Sequence, residues 1–118
     1  MDANLWLAAV SIGSSLLLIA LALPLIRKQI PPNALYGLRV PATFADESVW
    51  YEANARSGRD FLYLGLMLLV MAIAIAVARL GAAAYLAWAV LTLIGVMAMA
   101  ITGWLRANRL LKERQRVS

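Results

Sequence analysis

Three stretches of this chain carry no charge: residues 3–26, 61–78 and 80–105, of 24, 18 and 26 residues. A helix needs roughly 20 predominantly apolar residues, with about 17–25 tolerated, to cross a hydrocarbon core about 30 Å thick. Each stretch therefore reads as a membrane span. A chain of 118 residues then holds three spans, one connecting loop and a short tail, with no room for a separate soluble catalytic domain. Composition agrees: 64% hydrophobic and 14% charged lie well outside the ~45–50% and ~25% of soluble domains. The predicted architecture is all-α: one integral membrane three-helix bundle with spans at about 4–26, 61–79 and 83–105, a cytoplasmic loop 27–60 and a basic tail 106–118.

The first span is read as retained. Ala20-Leu21-Ala22 imitates a leader cleavage site, but Asp2 precedes the run and no Lys or Arg does. The run also exceeds the ~7–15 residues of a leader core, and Arg27-Lys28 follows directly. Orientation comes from the basic residues, which stay on the cytoplasmic side during insertion. Arg27, Lys28, Arg39, Arg56 and Arg59 lie in the loop, and Arg106, Arg109, Lys112, Arg114 and Arg116 in the tail; only Arg79 lies on the opposite side. The expectation is a bacterial inner-membrane protein with its N-terminus outside and its loop and C-terminus in the cytoplasm. Trp6, Tyr85 and Trp88 mark outer span ends, and Tyr63 and Trp104 inner ones. Gly81 suits the turn of an antiparallel hairpin between the second and third spans.

Small residues recur at four-residue spacing within the spans, as in Ala9/Gly13, Ser11/Ser15 and Ala72/Ala76, and in the column through Gly95 and Gly103. Such faces let helix backbones approach closely. Ala9, Gly13, Gly95 and Gly103 are thus candidate helix-packing positions, within one chain or, for Ala9/Gly13 above all, against a second subunit.

The loop is long for so small a membrane protein and is expected to be structured or functional. Residues 29–41 hold three prolines and one glycine and read as extended or turning. From about Phe44 a short helix is expected, with Thr43 and Asp46 as a weak capping box and acidic residues in its first turn. Trp50 and Asn54 share a face of it. The helix either lies in the inner headgroup layer before Phe61 enters the membrane, the geometry favoured here, or runs straight into the second span with Gly58 as a bend.

The string Pro32-Asn33-Ala34-Leu35-Tyr36-Gly37-Leu38-Arg39-Val40-Pro41-Ala42-Thr43, followed by Trp50-Tyr51-Glu52-Ala53-Asn54 and Gly58 between two apolar spans, resembles the SdpI-type family of bacterial membrane proteins. The spacings Gly37-x-Arg39 and Trp50-x-x-x-Asn54-x-x-x-Gly58 are its specific part. The resemblance implies a non-enzymatic membrane protein of the immunity type. Relatives protect a producing cell from its own peptide toxin, and some sequester a small repressor at the membrane. Longer relatives carry additional N-terminal spans that this chain does not show, which separates it from any toxin recognition that depends on them.

Asn33, Tyr36, Gly37, Arg39, Trp50, Asn54 and Gly58 are accordingly the candidate ligand- or partner-binding residues. Arg39 offers a bidentate fork to a lipid phosphate or a carboxylate; alternatively it ties the loop to Glu47 or Glu52, or only sets topology. Trp50 and Asn54 either form a recognition surface with Arg39 or pack and brace their own loop. Asn33 reads by default as a turn former, and Gly37 as a backbone requirement.

Cys and His are both absent, which removes thiol chemistry, disulfides and the commonest general base and metal ligand. No catalytic residue, cofactor or metal is expected. No span holds Asp or Glu, which argues against a proton-coupled exporter. The expected partners are membrane lipids and a peptide toxin or small regulatory protein, with a homo-oligomer open; the basic tail fits anionic lipid and implies no direct contact with nucleic acid. Two further readings are an accessory subunit of a larger membrane complex and an oligomeric small transporter.

Overall fold

A computed structural model describes residues 3–33 and 36–117. The order is α1 (Ala3–Ile26), α2 (Pro41–Ala45), α3 (Glu47–Ala78) and α4 (Ala82–Val117). Among the described residues every regular element is helical, and α1, α3 and α4 are each long and apolar enough to cross a membrane.

The ends of these helices follow from local chemistry. Lys28, just after α1, takes a left-handed conformation (φ 57°), and its N–H donates to the Leu25 carbonyl while Gln29 N–H donates to that of Pro24. Arg79 likewise ends α3 in a left-handed conformation, its N–H directed at Ala76 O while Leu80 N–H reaches Ile75 O. Gly81, at φ +87°, completes the reversal and α4 begins at Ala82. The hairpin expected of the second and third spans is therefore present, with Arg79 as the stop residue.

The short helix of the loop is α2, and the segment bearing Trp50 and Asn54 is not a separate interfacial helix. Asp46, read from sequence as part of the first turn of a helix opening near Phe44, instead lies between two helices. Its extended backbone ends α2, and its carboxylate caps α3 by accepting from Ser48 N–H at 2.8 Å. From there α3 runs without a break through Gly58 into the apolar span. Gly58 lies inside this unbroken helix, and its missing side chain serves packing: a Cβ there would lie 3.1 Å from the Ala22 carbonyl and 2.9 Å from Ile26 Cγ1.

Packing centres on α3. Against α1 it presents Gly58 and Gly65, where an added Cβ would meet Ile26 and Ile19 respectively at under 3.0 Å. The buried residues of α1 are Ser11, Ser15, Ala22 and Leu25. Both serine hydroxyls donate to their own helix, to Ala8 O and Ser11 O, so they cross the interface with their polar groups satisfied. Against α4, Leu64, Leu68, Ala72 and Ile75 meet Tyr85 and Trp88, whose indole N–H donates to Leu68 O at 2.9 Å. Gly95 admits Leu64, and Gly103 admits Ser57. A second apolar cluster of Ala42, Val49, Ala53, Ala107 and Leu110 ties α2 to the first turns of α3 and the last of α4.

Of the predicted packing positions, Gly95 and Gly103 lie in the bundle. Ala9 and Gly13 do not: both are exposed, and nothing comes within 4 Å of a Cβ built on Gly13. The neighbouring Ser11/Ser15 face is the one that meets α3.

Candidate functional site

The chain between α1 and α2 lies against α3 through backbone hydrogen bonds that the side chains of α3 and of the loop itself complete. Asn33 folds a tight turn: its amide nitrogen donates to Pro31 O and Tyr36 O (2.9 and 3.0 Å), and its amide oxygen accepts from Tyr36 N–H (2.6 Å). Ala34 and Leu35 of the sequence motif lie outside the described residues. The Tyr36 hydroxyl donates to the Leu21 carbonyl of α1, and burial raises its pKa from the ordinary tyrosine value.

Gly37 follows at φ +103°, where a side chain is strained in any case, and a Cβ there would sit 2.8 Å from Asn54 Oδ1. That oxygen instead accepts from Leu38 N–H at 2.5 Å, while Asn54 Nδ2 donates to Trp50 O at 2.9 Å and lies 3.4 Å from Leu38 O. One turn earlier on α3, the Trp50 indole N–H donates to Ile30 O at 2.8 Å, and its ring lies 5.4 Å from that of Phe44. Thr43 Oγ1 accepts from Val40 N–H and lies 3.0 Å from Leu38 O.

Trp50 is 0% and Asn54 2% exposed. Of the two roles open to them in the sequence, the one they fill here is to brace their own loop. Arg39, next to the anchored Leu38, is exposed and carries the charge of this surface. Asn33, Tyr36, Gly37, Trp50 and Asn54 thus converge on one motif that holds the backbone beside Arg39, and Gly58 lies a turn beyond Asn54 at the crossing with α1.

Two ion-pair groups went unnoticed in the sequence. Glu52 accepts from Arg56 at 2.8 Å on its own helix and from Arg114 at 2.6 Å on α4, and Arg114 Nε reaches Ser48 Oγ at 3.0 Å. The Glu52 carboxylate, one suggested partner for Arg39, is therefore engaged by these two guanidiniums. Nearer the membrane, Arg106 pairs with Asp60 at 3.1 Å. Within a helix a four-residue spacing announces a pair such as Glu52/Arg56; nothing in the sequence sets the register of α4 against α3 that brings residue 114 to residue 52.

Between α1 and α4, which touch sparsely, lies a cleft of about 270 Å³. Leu18, Leu21, Ala22 and Leu25 of α1 form one wall, Ser57 and Phe61 of α3 the floor, Ala100 of α4 the other wall, and Tyr36–Leu38 the cap. Its lining is almost wholly apolar, so it suits an apolar group and no polar substrate. Among the described residues no cluster of three or more His, Asp or Glu is placed to hold a metal ion.

An all-helical bundle with three apolar helices of spanning length, joined through a braced polar loop, defines a small multi-pass membrane protein. The SdpI/YfhL protein family matches residues 29–105, which take in the loop, all of α3 and most of α4. The chain belongs to that family. No curated protein and no solved structure matches it.

Proposed function

We propose that this protein acts by binding, in immunity to a peptide toxin or in membrane sensing that sequesters a regulatory partner, and that the loop carrying Arg39 is its contact surface. The observation behind this reading is the investment of buried side chains in one short loop. Asn54, Trp50 and Thr43 fix the backbone on both sides of Arg39, which lowers the ordering cost of binding at that position. The family match opens at the start of the same loop. A guanidinium held on a preorganised turn suits a carboxylate or phosphate of the partner. The Lys and Arg residues gathered in the loop and tail support a cytoplasmic position for this surface in a bacterial inner membrane.

Arg39→Ala tests this role more directly than changes at the bracing residues, because Arg39 is exposed while they are buried. Cells challenged with the toxin, or assayed for partner capture, are expected to lose protection or capture with Arg39→Ala while membrane insertion stays at the wild-type level. Full protection in that variant removes the loop from the reading. An accessory-subunit role is favoured by a different observation, the exposed Ala9/Gly13 face that no helix of this chain covers. Gly13→Leu is then expected to release a distinct protein partner from mild detergent extracts, and an unchanged extract sinks that role.

A further inference from the structure

At the end of the bundle opposite the loop, the first turns of α1, the last turns of α3 and the start of α4 enclose a second pocket, of about 550 Å³, within the ~300–1,000 Å³ of small-ligand sites. Its apolar lining is Leu5, Ala8, Ile75 and Ala76, and its polar side chains include Arg79 and Tyr85. Arg79 is the only charged residue between Asp60 and Arg106. It is exposed, and its guanidinium makes no hydrogen bond or ion pair among the described residues. Tyr85 is 6% exposed, its ring packed in the α3–α4 core. Its hydroxyl is not sealed in that core and also makes no hydrogen bond among the described residues. Trp88, one turn on, shows the alternative, since its indole N–H is satisfied by Leu68 O.

The lining selects a ligand by charge and by depth. It holds two unengaged donors, one of them cationic, and no Asp or Glu. Such a set suits an anion, and a guanidinium with a carboxylate makes the strong, charge-assisted kind of hydrogen bond. α4 begins beside them with no acidic residue in its first turn, which leaves the positive end of its dipole uncompensated. Along α3 the lining reaches only from Arg79 to Ile75, about 6 Å at 1.5 Å per residue. An apolar side chain fills that depth, whereas a phospholipid acyl chain, about half as long as a ~30 Å hydrocarbon core is thick, does not fit it. A free amino acid brings an ammonium group for which the lining has no carboxylate. The last residue of a peptide brings its carboxylate alone, because its nitrogen is an uncharged amide.

We propose that this pocket binds the carboxyl-terminal residue of a peptide, with the carboxylate held by the Arg79 guanidinium and the Tyr85 hydroxyl and an apolar side chain against Ala8, Ile75 and Ala76. The site lies at the other end of the long helices from the Arg39 surface and does not depend on it.

The test uses the full chain in phosphatidylcholine nanodiscs and a photoreactive dipeptide, N-acetyl-alanyl-photoleucine, as the free acid and as its carboxamide. The acid is expected to crosslink the pocket residues at 4–8 and 75–76 about tenfold more than the amide, the scale of one charge-assisted hydrogen bond. The two forms should label the exposed Val70 and Leu93 equally. Arg79→Gln should erase the difference at the pocket, and Tyr85→Phe, which keeps the ring in the core, should reduce it several-fold. Equal labelling of the pocket by acid and amide overturns the site, as does a preference that survives Arg79→Gln. Labelling by free photoleucine at the level of the acid overturns the peptide assignment. So does a phosphatidylglycerol with a photoreactive acyl chain that labels the pocket and is not displaced by the acid, which assigns the anion to a lipid phosphate. The wild-type comparison of acid and amide decides the matter even where a variant fails to fold. None of these readouts involves Arg39, so failure of the Arg39 surface leaves them unaffected.

Discussion

Asn54 commits both ends of its amide to two backbone segments, accepting from Leu38 N–H and donating to Trp50 O. Asn54→Ala leaves the Leu38 amide without its partner, at about 1–3 kcal/mol for an unmade buried bond. It should lower the thermal midpoint in detergent and expose residues 29–43 to protease. Gly37→Ala should do the same by a separate route, since its left-handed backbone and the 2.8 Å approach to Asn54 Oδ1 leave no place for a methyl group. A variant of either residue with unaltered protease resistance contradicts the bracing role. That Trp50 and Asn54 share a face was legible from their spacing, and bracing was one of two roles open to them. Which way the face points was not legible, because it depends on where a proline-rich segment returns after α1, and no periodicity governs that path.

At the scale of the helices, the charge-free runs locate the spans, and the acidic first turn announces a helix from about Phe44, which the structure opens at Glu47 and continues into the span. Residues 47–60 carry Glu47, Glu52, Arg56, Arg59 and Asp60, and this polar stretch is helical with Asp46 capping its start and Arg114 and Arg106 of α4 pairing with Glu52 and Asp60. The close crossing of α1 and α3 makes a sharp prediction: Gly58→Leu and Gly65→Leu should each destabilise the protein by about 1–3 kcal/mol, while Gly13→Leu leaves its thermal midpoint unchanged. The Asp46 cap gives a second. The Ser48 hydroxyl and backbone N–H hold its carboxyl below the ordinary carboxylate range. A depressed pKa contributes stability that is present above the unfolded-state value and is lost as pH falls through the folded one. Amide exchange at Ser48 should therefore quicken in acid relative to mid-α3 amides, after correction for intrinsic rates. Asp46→Asn should remove that pH dependence, and a pH-independent ratio in the wild type contradicts the cap.

The whole molecule measures 58 Å along its axis and about 22 × 20 Å across. With a hydrocarbon core of about 30 Å, a substantial part of α3 and α4 stands outside the membrane at the loop end. Three spans were legible from three charge-free runs, and a helix running from the loop straight into the second span was one of two geometries open in the sequence; the packing of α3 against α4, which no spacing encodes, decides between them. The chain contains no cysteine, so single cysteines can be introduced without background. Cysteines at positions 28 and 115 should react with an impermeant maleimide from one side of sealed vesicles, and one at position 80 from the other. Labelling of positions 28 and 115 from opposite faces contradicts three spans.

One property of α4 joins these scales. It is a single unbroken helix, so Ala100 in the wall of the cleft and Arg114 on Glu52 are about 21 Å apart on one stiff rod. With no break between those two points, α4 can move at the cleft only by pivoting on, or shifting, the contact of Arg114 with Glu52.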